Sequence, residues 1–295
     1  MKYGTLFAIA ILGLAVMFSG CVQSSEGTED IEKGTIKFGL PPWPGVTVKS
    51  EVVKVILEEQ GYDVELNQLD AGITYAKLAD GELDILLAGW LPTTHQDYWG
   101  QYGDQLEMVH VNVGKTALGL AVPTYTYEAG IQSITDLNGN EEFFDARIVG
   151  IEPGAGIMAN TERAITNYGL EGYELQSSST PAMMAELARA MNENENIIVT
   201  VWEPHSVFFK FNITMLDDPE KVYGDGDKVY TIARKDFKDD YPEAYEFFQK
   251  FEVDPSVQSE WIYKYSDEGM DPEEIAEEWV ANNPEFVAEW TSHMN

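Results

Sequence analysis

The sequence predicts an α/β fold with a mainly parallel sheet, and three observations carry that prediction. Short apolar or β-branched runs alternate with amphipathic stretches of helical period, the pattern of strand–helix–strand units. Glycine or proline closes most of these stretches, so the boundaries are punctuated as well as periodic. At 295 residues and 44% hydrophobic composition the chain can also build a real core, which removes disorder as the default.

The elements follow in order from Thr35. Thr35 to Leu40 is a strand, and residues 48–59 place Val52, Val53, Ile56 and Leu57 on one helical face that stops at Gly61. Asp63 to Leu69 is the next strand, Thr74 to Asp80 a helix closed by Gly81, and Leu83 to Leu87 an apolar run of strand length. Ala117 to Val122 is a strand ended by Pro123, and Ile134 to Leu137 begins a new segment. Arg147 to Ile151 is a strand and Ile157 to Asn167 a helix ended by Gly169. Pro181 to Met191 is a helix with Thr180 as its N-cap. Ile197 to Val201 is a β-branched strand. The last third changes character: Pro242 to Phe251, Pro255 to Tyr265 and Pro272 to Trp290 read as aromatic-rich helices that cover one part of the sheet structure.

Before Thr35 the chain has the layout of an export signal: Met1 and Lys2, an apolar run from Leu6 to Met17, then Phe18-Ser19-Gly20-Cys21. The run is shorter than the ~20 residues that span a bilayer. Cys21 is the only cysteine and follows Ser-Gly, so it resembles the lipid acceptor of a lipoprotein leader. That resemblance makes residues 1–20 a signal peptide and 21–34 a lipidated cysteine with an acidic tether, and the chain membrane-anchored on the extracellular side through lipid alone. A plain secretory leader and a retained membrane helix are the alternatives. With one cysteine no internal disulfide forms, and packing alone must stabilise the fold.

The formal net charge is −33, from 51 acidic and 18 basic residues scattered along the whole chain. Such a charge repels nucleic acid and anionic lipid, which argues against both as partners. A solvated surface suited to a saline exterior is the simplest reading.

In open α/β sheets ligands bind beyond the carboxyl ends of strands. Three such ends carry a tryptophan: Trp43 in the stiff Pro41-Pro42-Trp43-Pro44-Gly45 turn, Trp90 in Ala88-Gly89-Trp90-Leu91-Pro92-Thr93-Thr94-His95, and Trp202 in Trp202-Glu203-Pro204-His205. A fourth end, Glu152-Pro153-Gly154-Ala155-Gly156-Ile157, runs straight into a helix. The free N–H groups of such a helix start attract anions. An aromatic box suits a quaternary ammonium, which has no N–H to satisfy and packs its methyl groups on the rings. A box and an anion site together describe a small zwitterion. A primary ammonium without acceptors would pay a desolvation penalty in the same box. His95 either donates to the ligand carboxylate, more strongly if protonated, or caps a helix. His205 either reaches the ligand or supports Trp202. The spacing of the four histidines fits no metal motif, and no nucleophile elbow or phosphate loop is present, so neither a metal, a cofactor nor catalysis is expected. Glu152 and Glu203 each precede a proline at a turn and read as local structure.

Four motifs in this order resemble the glycine betaine/proline betaine-binding proteins of ABC importers: residues 88–95, residues 152–157, Ser178-Ser179-Thr180-Pro181-Ala182-Met183-Met184, and Thr200 to His205. The resemblance runs from about Gly34 to the end. It implies a two-lobed periplasmic-binding-protein fold of type II, each lobe a mixed, mainly parallel sheet flanked by helices, with the ligand in the cleft between them. It implies Trp43, Trp90 and Trp202 as walls around the trimethylammonium, and Gly156 and Ile157 N–H groups with His95 on the carboxylate. One branch of the family has a tryptophan where this chain has Ala155, which leaves Trp43 as the third wall. The implied partners are a betaine and a membrane permease, for a monomeric receptor in osmoprotectant uptake. A receptor for choline or carnitine is the near alternative and a surface adhesin the distant one. The expected lobes are residues 35–122 with 231–295, and 123–230, with crossings near Pro123 and near Thr231–Ala233.

Overall fold

A computed structural model describes residues 33–294. The expected leader, the lipid acceptor Cys21 and all but the last two residues of the expected tether lie outside the described residues. The described residues form one compact unit. Its first stretch runs β1 (Thr35–Leu40), α1 (Pro44–Glu59), β2 (Asp63–Gln68), α2 (Ala71–Ala79), β3 (Ile85–Leu91), α3 (Gln96–Tyr102) and β4 (Leu106–Val113). The second runs β5 (Ala117–Pro123), α4 (Thr124–Glu128), β6 (Arg147–Val149), α5 (Gly156–Asn167), β7 (Glu174–Gln176), α6 (Thr180–Glu193), β8 (Val199–Glu203), α7 (Val207–Lys210) and β9 (Ile213–Met215). The chain then returns through β10 (Lys228–Arg234) and ends in α8 (Phe237–Asp240), α9 (Pro242–Lys250), α10 (Pro255–Ser266), α11 (Pro272–Asn282) and α12 (Pro284–Thr291).

These elements make two five-stranded mixed sheets, ordered β2-β1-β3-β10-β4 and β7-β6-β8-β5-β9. In the first, β1 pairs parallel with β2 and β3, and β10 runs antiparallel between β3 and β4. In the second, β6 pairs parallel with β7 and β8, and β5 runs antiparallel to β8 and β9. The pairing corrects the expected lobe boundaries. Leu118 of β5 lies opposite Trp202 of β8, so the chain has already left the first sheet at residues 114–116, ahead of Pro123. Pro123 ends a strand of the second sheet instead, opposite Ile213. Likewise Lys228 already pairs with Leu91, so the return crossing precedes residues 231–233. The two crossings lie side by side: the Thr116 hydroxyl donates to the Asp227 carbonyl at 2.6 Å. Gly226 sits at φ +99°, and a Cβ there would come 2.9 Å from the Thr116 carbonyl oxygen, so both sterics and backbone call for glycine.

The core follows the apolar pattern. Every residue of β3 is buried, and α1 buries Val48, Val52, Val53, Ile56 and Leu57. The C-terminal helices cover the first sheet's side, with α10 and α11 on α1 and α9 on β4. Their aromatic residues Phe247, Phe251 and Trp290 pack ring to ring. At about 1.5–3 kcal/mol per large buried side chain this is a principal source of stability in a chain without disulfides. Three sequence boundaries shift. Helix α1 starts at Pro44 rather than 48, because proline suits the first helical position. The stretch from Pro272 to Trp290 breaks at Asn283–Pro284, where a helix cannot carry proline in its interior. The N-cap of α6 is Ser179, whose hydroxyl accepts the Ala182 N–H at 3.3 Å. Thr180 instead spends its N–H and hydroxyl on the Glu152 carboxylate, at 2.8 and 2.9 Å, which ties the glycine turn to α6 and gives Glu152 the structural role expected of it.

Candidate functional site

Trp43, Trp90, His95, Gly156, Ile157 and Trp202 all line one cavity. Trp43 is the N-cap of α1, and Trp90 lies near the end of β3 opposite Val229, so these two stand on the first sheet's side. Trp202 near the end of β8 and the start of α5 come from the second. Strands and helix starts thus deliver the rings from rigid elements, which is how a preorganised site is built. The three indoles are only 7–9% exposed.

His95 follows Trp90 through a tight turn closed by a 2.8 Å hydrogen bond from its N–H to the Trp90 carbonyl. Its Nδ1 accepts the Trp90 N–H at 3.3 Å and lies 3.2 Å from the buried Tyr75 hydroxyl. With Nδ1 as acceptor, the ring proton belongs on Nε2. Nε2 is buried and has no partner in the protein. Burial holds the ring neutral, with its pKa lowered to about 3. His95 stands at the N-cap position of α3 but makes no side-chain cap bond, which corrects the capping alternative, and the apolar surroundings leave its Nε2–H as a neutral donor without a partner in the protein. Trp43, Tyr75 and Tyr98 pack around the imidazole with ring centroids 5.5–5.8 Å away, which fixes its orientation.

The start of α5 completes the donor set. Ala155 is its N-cap and offers no side-chain acceptor, so the N–H groups of Gly156 and Ile157 keep the unsatisfied valence of a first helical turn. A Cβ on Gly156 would lie 2.2 Å from the Thr94 carbonyl oxygen and 2.8 Å from His95 Cδ2. Only glycine lets α5 come this close to the Thr94–His95 turn of the other half. The Thr94 hydroxyl and the Trp43 indole N–H are further buried polar groups of the lining without a partner in the protein. The lining is therefore apolar aromatic surface with converging donors and one unpartnered acceptor, Gln258 Oε1, a setting that suits a methylated cation joined to a polar group.

His205 does not line the cavity. Its ring meets Trp202 edge-on at 4.7 Å, and its Nδ1 accepts the Val207 N–H at 3.0 Å. Burial lowers its pKa to about 4, so it is a neutral prop for Trp202, and the ligand-contact alternative is not what the structure shows. Among the lining residues that the sequence does not single out, two carry long polar side chains, Lys49 and Gln258. Lys49 shares a helical face with Val46, Val53 and Ile56, so a charge on an apolar face was the available signal. Gln258 of α10 offered no comparable signal. The halves also touch beyond the cavity: Tyr98 Oη donates to the Gly154 carbonyl at 2.6 Å, Arg163 meets Asp97 at 3.0 Å, and Lys210 pairs with Asp267. Among the described residues no cluster of potential metal ligands occurs, and no helix is long and apolar enough to cross a membrane.

Comparison with known proteins decides the family. Residues 34–282 match the family described as the substrate binding domain of ABC-type glycine betaine transport systems. The chain belongs to this family. It is one of binding proteins and not of enzymes, in agreement with the expectation drawn from the motifs. A curated relative, the glycine betaine/carnitine transport binding protein GbuC of Listeria monocytogenes, is 45% identical over 146 residues, 49% of this chain and 48% of that protein; the match thus spans about half the relative's length. The fold agrees with the glycine betaine, L-proline transporter binding protein ProX of Borrelia burgdorferi at TM-score 0.84 and 33% identity, covering 87% of this chain and 96% of that one. It agrees with lactococcal OpuAC, closed on glycine betaine, at TM-score 0.82 and 30% identity, covering 88% and 99%. A choline-binding protein in complex with choline matches at TM-score 0.84 and 28% identity, covering 88% and 91%. The two mixed sheets flanked by helices are accordingly the type II periplasmic-binding-protein fold.

Proposed function

We propose that this chain is the extracellular receptor of an ABC importer and captures glycine betaine, and with it proline betaine, for osmoprotectant uptake. The observation that carries the proposal is the meeting of three indoles, the start of α5 and the free Nε2–H of His95 on one cavity. Trp43, Trp90 and Trp202 surround the trimethylammonium, each desolvated ring contributing on the order of 0.5–2 kcal/mol. Gly156 and Ile157 N–H groups and His95 hold the carboxylate through charge-assisted hydrogen bonds. The two sheets act as lobes, hinged at residues 114–116 and just before Lys228, and closure brings the two ends of the cage together. A lipid on Cys21 tethers the monomeric receptor beside its permease.

Receptors of this fold bind choline as well as betaines, as the choline complex among the similar structures shows, and carnitine appears in the name of the Listeria relative. Calorimetry and intrinsic tryptophan fluorescence with glycine betaine, proline betaine, carnitine and choline separate these readings. The expected result is tightest binding of glycine betaine with a change in indole emission. Tightest binding of choline, or no binding of any quaternary amine, would overturn the proposal.

A further inference from the structure

The cavity contains one group that a cage for a cation does not call for. Lys49 projects from the inner face of α1, is only 1% exposed, and lines the same space as the three indoles. Its ammonium makes one hydrogen bond, to Asn112 Oδ1 at 2.6 Å. The Asn112 amide is itself held by donating to the Leu87 carbonyl at 3.3 Å and the Thr231 hydroxyl at 3.1 Å, so its oxygen is committed to Lys49. Lys49 therefore meets a neutral amide of β4, which is itself anchored on a carbonyl of β3 and a hydroxyl of β10, and α10 adds the neutral Gln258 to the lining. His95 in the same lining is neutral. The nearest acid in sequence, Glu51, pairs with Lys54. No ion pair involves Lys49 among the described residues.

A buried cation without a counter-charge is costly, and its field in a poorly hydrated cavity is weakly screened. We propose that Lys49 sets the ligand class of this cavity: its uncompensated charge rejects quaternary amines that are net cations and admits those that carry their own carboxylate. The inference rests on the reading of the cavity as a quaternary-amine site. For a zwitterion the charge of Lys49 is opposed by the methylated nitrogen and favoured by the carboxylate, whereas for choline only the repulsion remains. The same charge is a handle on the effect, because burial lowers the Lys49 pKa to about 7. Below neutrality the ammonium is charged and discrimination is strong. As pH rises through about 7 the charge is lost and choline gains relative to betaine.

The test is the ratio of choline to glycine betaine dissociation constants, measured by calorimetry on the wild-type chain, Lys49→Met and Lys49→Gln. Both ligands keep their charge from about pH 5.5 to about pH 9, so the part of the slope that disappears in both variants belongs to Lys49. The expected wild-type ratio falls about tenfold across that range, while both variants start about tenfold lower and show no slope. Gln retains a donor for Asn112 and Met retains the apolar stem, so a change shared by the two reports the charge. A shift in Met alone, a ratio unchanged in both variants, or a flat wild-type profile overturns the role of Lys49 and leaves the quaternary-amine reading standing. Failure of the wild type to bind either ligand overturns both.

Discussion

Gly156→Ala is expected to cost at least ~100-fold in glycine betaine affinity while leaving the unliganded protein as stable as before. The added methyl carbon has no place in the closed arrangement, 2.2 Å from the Thr94 carbonyl oxygen, so α5 must withdraw from the Thr94–His95 turn. Withdrawal separates the Gly156 and Ile157 N–H groups from His95, and a carboxylate can no longer reach all of them. Charge-assisted hydrogen bonds are worth about 1.5–3 kcal/mol each, so losing two of them accounts for the loss. Local helix propensity favours alanine, and the clash exists only where the halves meet, so thermal unfolding without ligand should be unchanged or slightly later. Calorimetry and a thermal melt on the same sample check both halves of the statement. Normal affinity would mean that the halves do not meet at Gly156 when ligand is held.

The second large effect is expected from the rings. Trp90→Ala and Trp202→Ala should each weaken betaine binding by ~30-fold or more, since a desolvated cation–π contact of about 2 kcal/mol is lost together with apolar contact to the methyl groups. Both together should abolish measurable binding. Phenylalanine at either position keeps a π face and should recover part of the loss. Trp202 has a further dependence, because His205 packs edge-on against it, so His205→Ala should loosen the ring and weaken binding by less than removal of the indole. Calorimetry reads the affinities, with circular dichroism to show that the fold survives. Unchanged affinity in both alanine variants would remove the rings from the site.

How much of this was legible beforehand depended on where the signal lay. The tryptophans stood out because each follows a strand whose apolar run is readable, and proline or glycine beside it marks the end of the element. The glycine turn was legible for the same reason. Lobe boundaries were not, because they depend on pairing: nothing local to Ala117–Pro123 states that it pairs with β8 and β9 instead of joining the first sheet. Strand β4, Leu106–Val113, alternates polar and apolar residues, and β10, where the sequence predicts a crossing, puts Val229, Ile232 and Ala233 in the core. The charge state of His95 is not legible in the sequence, since burial by Tyr75, Tyr98 and Trp43 is a property of tertiary packing. Lys49 shows its anomaly in the sequence itself, as a lysine among valines.

What unites these points is the proposal that donors from α5 and His95 and aromatic faces from three strand ends serve opposite ends of one small molecule. A crystal structure of the complex with glycine betaine addresses this directly. It should show the methyl groups within about 4 Å of the Trp43, Trp90 and Trp202 rings, and the carboxylate oxygens about 3 Å from the nitrogens of Gly156 and Ile157 and from His95 Nε2. Density for the ligand with its ammonium outside these rings, or its carboxylate turned away from α5, would contradict the account.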